Sequence, residues 1–185
     1  MNQHNLPAGV ECIDERDMPA ELDAAIRTLL CECFPPDAEV FSQTRHWNDS
    51  VPAFSVLYRQ AGKVLGHVGV TRRTIRVADH EVEVAGIQSV AVTPAMRGTG
   101  LAQLLMKEAT SQALRRGIVF GLLFCTPNLE HFYGSLGYVC TAAAVTKIDR
   151  QGRRLPIPAK NITMFAEFAD AKFPEGDIDL AGEDW

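Results

Sequence analysis

No stretch of this 185-residue chain approaches the roughly 18–20 consecutive apolar residues that span a bilayer. The opening segment, Met1 to Pro7, has neither a basic cluster nor an apolar core, so no secretory signal is expected. Basic residues are not in excess. Eighteen Lys and Arg stand against 23 Asp and Glu, giving a net charge of −5. Phosphate backbones attract clustered cations, so a nucleic-acid partner is not expected, nor is a membrane one. Cysteine is sparse and odd in number: Cys12, Cys31, Cys33, Cys125 and Cys140 have scattered spacings. Cys31 and Cys33 lack a second Cys/His pair at zinc-binding distance, which argues against both a disulfide framework and a metal site. Reduced thiols and a cytoplasmic location are the expectation. Repeats, low-complexity tracts and Gly/Ser linkers are missing too, so residues 1–185 are read as one domain.

Periodicity supplies the elements. Ala20–Phe34 carries Leu22, Ile26, Leu29, Leu30 and Cys33 on one helical stripe, stopped by Pro35 and Pro36. Phe54–Arg59 alternates as a strand, and a turn at Gly62 leads into a second strand over Val64–Val77. Ala78 to His80 turns the chain into a third, Glu81–Thr93. There the alternation slips beside Gly86, as a β-bulge would require, although an ordinary buried strand gives nearly the same pattern. Leu101–Arg116 is a helix with Gly117 as its cap, and Val119–Cys125 is a strand buried on both faces. Asn128–Leu136 reads as a short helix, followed by strands over Tyr138–Ile148 and Ile162–Phe168 and an acidic tail to Trp185. This order predicts an α+β (mixed α/β) domain with helices covering a twisted, mostly antiparallel sheet.

The segment from Ser89 to Ala102 carries chemistry in its backbone. A strand, Val90-Ala91-Val92, meets Pro94 and then the turn Arg97-Gly98-Thr99-Gly100-Leu101-Ala102, which opens a helix. Unpaired amides at a helix start, reinforced by the helix dipole, favour an anion. Gly98 and Gly100 allow positive φ and close approach, and Arg97 adds formal charge. A Walker loop is excluded because no Gly-Lys-Ser/Thr follows, and a Rossmann turn lacks its third glycine. A plain glycine-rich turn stays open on these residues alone.

Arg97 to Ala102 resembles the Q/R-x-x-G-x-G/A signature of GNAT-superfamily N-acetyltransferases. The second half of that signature matches Asn128, Phe132-Tyr133 and Gly137-Tyr138, so the resemblance covers Gly86–Val139. It implies the GNAT fold and acetyl-CoA as co-substrate. Backbone groups of Val90, Ala91 and Val92 would hold the pantetheine, amides of Arg97 to Ala102 the diphosphate, and Asn128 the pantetheine or thioester. The amide near Val90 would stabilise the oxyanion. Tyr133 stands where the family commonly places the acid that protonates the leaving thiolate, and packing beneath the cofactor is its other reading. Relatives often carry Glu where Gln88 stands, so Gln88 would orient a water, or Glu83, His46, His67 or His131 would act as base. Cys125 is near the expected thioester, where packing is the commoner role.

Two subfamilies look similar over nearly the whole chain. Aminoglycoside 2′-N-acetyltransferases resemble it through Phe34 to Asp37, Trp47, Arg72-Arg73 and Gly182 to Trp185. Nodulation N-acyltransferases resemble it through Trp47 and Gly66 to Val77. Both acylate sugar amines. By that resemblance Asp37, Glu183 and the Trp185 carboxylate would bind the acceptor, a primary amine, with an aminosugar or aminoglycoside foremost and another small amine, an amino acid or a protein amine left open. His46 before Trp47, and Arg153 and Arg154 in the Gln151–Pro158 loop, depart from the aminoglycoside pattern. A homodimer is admitted, and a non-catalytic acyl-CoA-binding module is the alternative function.

Overall fold

The computed structural model describes residues 6–185. Its spine is a hairpin of two long antiparallel strands, β3 (Lys63–Val77) and β4 (His80–Val92). Both are rich in β-branched residues and buried on both faces over much of their length, which demands cover above and below. Successive side chains on a strand point to opposite faces, so Ala91 and Val92 enter different cores. On one side, α1 (Ala20–Cys33) lays Leu22, Ile26, Leu29 and Leu30 against Leu57, Val64 and Ala91. Phe41 of α2 (Ala38–Gln43) joins them. On the other, α3 (Leu101–Arg115) packs Leu105, Met106 and Ala109 onto Val68, Val70 and Ile87.

The other strands extend this spine. β2 (Phe54–Gln60) pairs with the first half of β3, and β1 (Val10–Asp14) with β2. Beyond β4 come β5 (Phe120–Cys125), β9 (Ile162–Glu167) and β6 (Val139–Thr141). Beyond β3 come β10 (Ile178–Asp179), β7 (Val145–Ile148) and β8 (Arg154–Pro156). Pairing is antiparallel except for β4 with β5 and β7 with β10. The mostly antiparallel α+β sheet expected from the sequence is present.

β4 and β5 touch only briefly. Their register covers Ala85–Ile87 against Gly121–Leu123, after which β4 runs on to Val92 and β5 to Cys125 unpaired with each other. The short α4 (Glu130–Gly134) follows β5, and the parting of the two strands leaves a cleft.

Two expectations need correction. The bulge is not beside Gly86: the β3–β4 register is unbroken as far as Gly69 opposite Gln88. It breaks next, because His67 faces Ala91 and leaves Ser89 and Val90 together opposite Val68. Ser89 has φ of +50°, a left-handed conformation that interrupts the pleat. Gly86 serves close approach instead, since a Cβ there would lie 2.4 Å from Cε2 of Trp185. The single strand expected over Tyr138–Ile148 is two, β6 and β7, on opposite sides of the spine, with the chain crossing between them at Ala142 to Ala144. The acidic tail is packed: β10 pairs with Arg76 and Val77, and Leu180 and Trp185 are buried with Ile75, Val84 and Leu122. β1, α2, β8 and β10 are too short to show a period and were not anticipated. No helix among the described residues is long and apolar enough to cross a membrane.

Gly86→Ala drives a methyl into the Trp185 indole. Overpacking of this kind costs about 1–3 kcal/mol. Chemical denaturation is expected to show that loss, together with a red shift of tryptophan emission as the indole is displaced.

Candidate active site

After β4, a 3-10 turn at Pro94–Met96 carries the chain to Gly98 and Gly100, whose φ values are +76° and +87°. A Cβ at either would meet nothing within 4 Å, so the glycines are needed for backbone angle rather than for space. The consequence is a row of idle donors. Among the described residues, no backbone N–H from Gly98 through Gln103 has an acceptor in the protein; the next, Leu104, donates to Gly100 O at 3.0 Å. Neighbouring N–H groups at the positive end of a 15-residue helix make an anion seat.

Two cavities run from this point through the β4–β5 cleft. The first, about 240 Å³, is lined by Cys33, Ala91, Val92, Arg97, Ala102 and Phe132, among others. The second, about 440 Å³, is lined by Asp37, Trp47, Gln88, Phe124, Lys147, Lys160 and Trp185, among others. Phe34, Val90, Leu129 and Tyr133 line both. The cavities therefore meet at Val90, on the bulge, and Tyr133, on α4.

Tyr133 is 7% exposed, and burial pushes its phenol well above the usual tyrosine range, so it stays protonated. Cys125 nearby is pushed up to about 11 by the same burial. Its thiol, 3.9 Å from Met164 Sδ, is therefore no nucleophile at neutral pH.

A buried polar network holds the bulge. His67, fully buried, bonds the Ser89 carbonyl through Nδ1 at 2.8 Å and Ser55 Oγ through Nε2 at 3.1 Å. Ser55 Oγ also accepts from Arg45 at 3.3 Å, and Ser89 Oγ donates to the Arg45 carbonyl at 3.1 Å. Arg45 is only 4% exposed; Glu15 at 2.7 Å and Asp23 at 2.5 Å balance its charge. Sequence reasoning missed Arg45, Ser55 and Ser89, which belong to no motif.

Gln88 lines the larger cavity with its amide committed. Oε1 accepts from Trp47 N at 3.2 Å, while Nε2 donates to Ser50 O and to Thr71 Oγ1, both at 2.6 Å. The alternative bases lie elsewhere. Glu83 pairs with Arg72 at 2.7 Å on the surface, His46 bonds Asn48 O at 2.9 Å, His131 is exposed, and desolvation lowers His67 to about 4. None of the four lines either cavity. Asn128 is exposed in the turn Pro127–Leu129 and lines neither; Leu129 faces the groove instead. Asp37 and Trp185 line the larger cavity, but Glu183 does not. Glu183 pairs with Lys147 at 3.2 Å, and its neighbour Asp184, 2.6 Å from the same ammonium, forms the wall. Arg153 and Arg154 are held by Asp149 and Asp179, away from the cavity. No group of His, Cys, Asp and Glu among the described residues could hold a metal ion.

A family model described as an acetyltransferase (GNAT) domain matches residues 17–140. Comparison with curated proteins found no match. Among solved structures, the GNAT-family N-acetyltransferase YhbS of Escherichia coli, in complex with CoA, is similar at a TM-score of 0.67 and 20% identity; the match covers 97% of this chain and 94% of that one. A GNAT-family acetyltransferase of Brucella melitensis, in complex with acetyl-CoA, matches at 0.59 and 19% identity, covering 91% and 94%. ElaA of Escherichia coli matches at 0.62 and 16%, covering 85% and 98%.

Holding His67 neutral has a pH consequence. Its pKa falls from 6.5 to about 4 on folding, mainly through desolvation, so between these values the unfolded chain binds the extra proton. The contribution is complete above pH 6.5 and is lost as pH drops toward 4, worth about 3 kcal/mol in all. Melting temperature is expected to fall over that window, and less steeply in His67→Gln than in the native chain. Parallel profiles would show that the imidazole is not held neutral.

Proposed function

Because the chain belongs to the acetyltransferase (GNAT) domain family, we propose that it transfers an acetyl group from acetyl-CoA to the primary amine of a small acceptor. The observation that carries this reading is the meeting of two cavities at Val90 and Tyr133, one of them lined by Arg97 and Ala102 from the turn that carries the idle N–H groups of Gly98 to Gln103. Those amides, with Arg97, fit a diphosphate. The narrower cavity past Ala91, Val92 and Ala102 fits a pantetheine arm, and the larger one takes the acceptor.

Each residue has a role in direct transfer. The Val90 amide donates to the oxygen as negative charge develops there. The acceptor nitrogen forms its bond to the carbonyl carbon, the C–S bond breaks, and the Tyr133 hydroxyl gives its proton to the departing sulfur. Gln88 cannot take a proton. Its Oε1 has a second lone pair beyond the Trp47 bond, and this orders the water that carries the acceptor's proton away. The acceptor reaches the site as the free amine, so amines of lowered pKa are favoured. An aminosugar fits this requirement, with Asp37 binding a further ammonium or hydroxyl. One observation favours the alternative of a non-catalytic acyl-CoA-binding module: the amide of Gln88, at the position where relatives often carry the base, makes three structural hydrogen bonds.

Thiol release measured across a panel of amines separates the two readings. Turnover with an amine, falling about 100-fold in kcat in Tyr133→Phe with CoA affinity within twofold of native, is expected for the enzyme. Tight CoA binding without release from any amine would identify the module, and equal rates in Tyr133→Phe would remove the phenol from the reaction.

A further inference from the structure

The charges around the larger cavity are of both signs. Its side-chain carboxylates are Asp37 and Asp184 and its ammoniums are Lys147 and Lys160, so the side chains balance, and Trp185, which carries the terminal carboxylate, lines the cavity as well. Asp184 and Lys147 are spent on each other at 2.6 Å, and Asp184 also accepts from Asn48 Nδ2 at 2.7 Å. Two side-chain charges are left over. Among the described residues, neither the Asp37 carboxylate nor the Lys160 ammonium has an ion pair or a hydrogen bond. They come from different parts of the fold, Asp37 from the turn between α1 and α2 and Lys160 from the loop leading into β9. Asn161, beside Lys160, also faces the cavity with an uncommitted side-chain amide. Between these ends the walls are apolar and aromatic: Phe34, Trp47, Phe124 and Trp185.

We propose that the acceptor is dipolar: a small amine that also carries an anionic group, a carboxylate or a phosphate, which Lys160 and Asn161 receive while Asp37 attracts the ammonium end. The proposal rests on the transferase reading for the direction of the amine and adds the substrate class. A polycationic acceptor would bring like charge against Lys160, whereas a dipolar one satisfies both uncommitted side-chain charges at once. Because Lys160 is exposed, its pairing is of surface strength: removing it is expected to cost about fivefold in affinity rather than to abolish binding.

Trp47 and Trp185 are the only two tryptophans of the chain, and both line the cavity, so intrinsic emission reports its occupancy whether or not acyl transfer follows. The full chain saturated with CoA is titrated with an α-amino acid, its carboxamide, an uncharged hexosamine, a hexosamine phosphate and an aminoglycoside. Tighter binding of the amino acid than of its carboxamide assigns a carboxylate, and tighter binding of the hexosamine phosphate than of the free hexosamine assigns a phosphate. In Lys160→Met that preference is expected to shrink about fivefold, with binding of the anion-free partner unchanged. Equal binding within each pair, tightest binding by the aminoglycoside, or no response to any amine overturns the proposal. A preference for the anionic amine without thiol release would leave the substrate class standing and sink the transferase reading instead.

Discussion

The left-handed turn of the backbone at Ser89 is the constraint on which the site depends. A regular strand would carry β4 to Val92 with every amide in its ladder and every side chain in strict alternation. One residue at φ +50° puts Ser89 and Val90 together opposite Val68 and turns Val90 toward the cleft. A β-branched neighbour would not adopt that angle readily, and even serine is strained there. The strain is held by burial. His67 and Arg45 grip the Ser89 carbonyl and hydroxyl, and the Arg45 charge is in turn balanced by Glu15 and Asp23. The position proposed for the oxyanion donor is thus fixed by groups that touch neither cavity.

Backbone and side chains divide the labour in the proposed reaction. The anion seat uses main-chain donors that any residue could supply, and the sequence contributes two glycines to set their direction. The acceptor side works through side chains, and there the chain follows its own pattern: an engaged glutamine, two lysines and an indole packed over Gly86. The first half explains why the family is shown by a match over residues 17–140. The second explains why family membership alone leaves the acceptor undecided.

Much of this was legible in the sequence, for physical reasons. Long elements with a clear period, such as Ala20–Cys33 and Leu101–Arg115, are found within a residue, because an amphipathic stripe is a global requirement of packing. The glycine turn could be read because its chemistry lies in consecutive residues. The bulge could be sensed but not located: Gly86 offered an obvious cause, while the actual departure at Ser89 depends on His67 and Arg45, distant in sequence. The tail shows the same limit. Trp185 could be expected to pack, yet nothing local indicated that Asp184 rather than Glu183 would face the cavity, and Lys147, which pairs with both, comes from another strand. Residues that act through long-range partners leave little local trace.

In the proposed reaction the Ser89 conformation sets the transferring geometry, while the anion seat beyond Pro94 stands apart from it. Comparing Ser89→Gly with Ser89→Val, each measured for CoA affinity by calorimetry and for thiol release with a competent amine, tests it most directly. Glycine takes positive φ freely and should keep turnover within a few fold, while valine should straighten the strand and lose it, both binding CoA nearly as the native chain does. Native turnover in the valine variant would contradict the account.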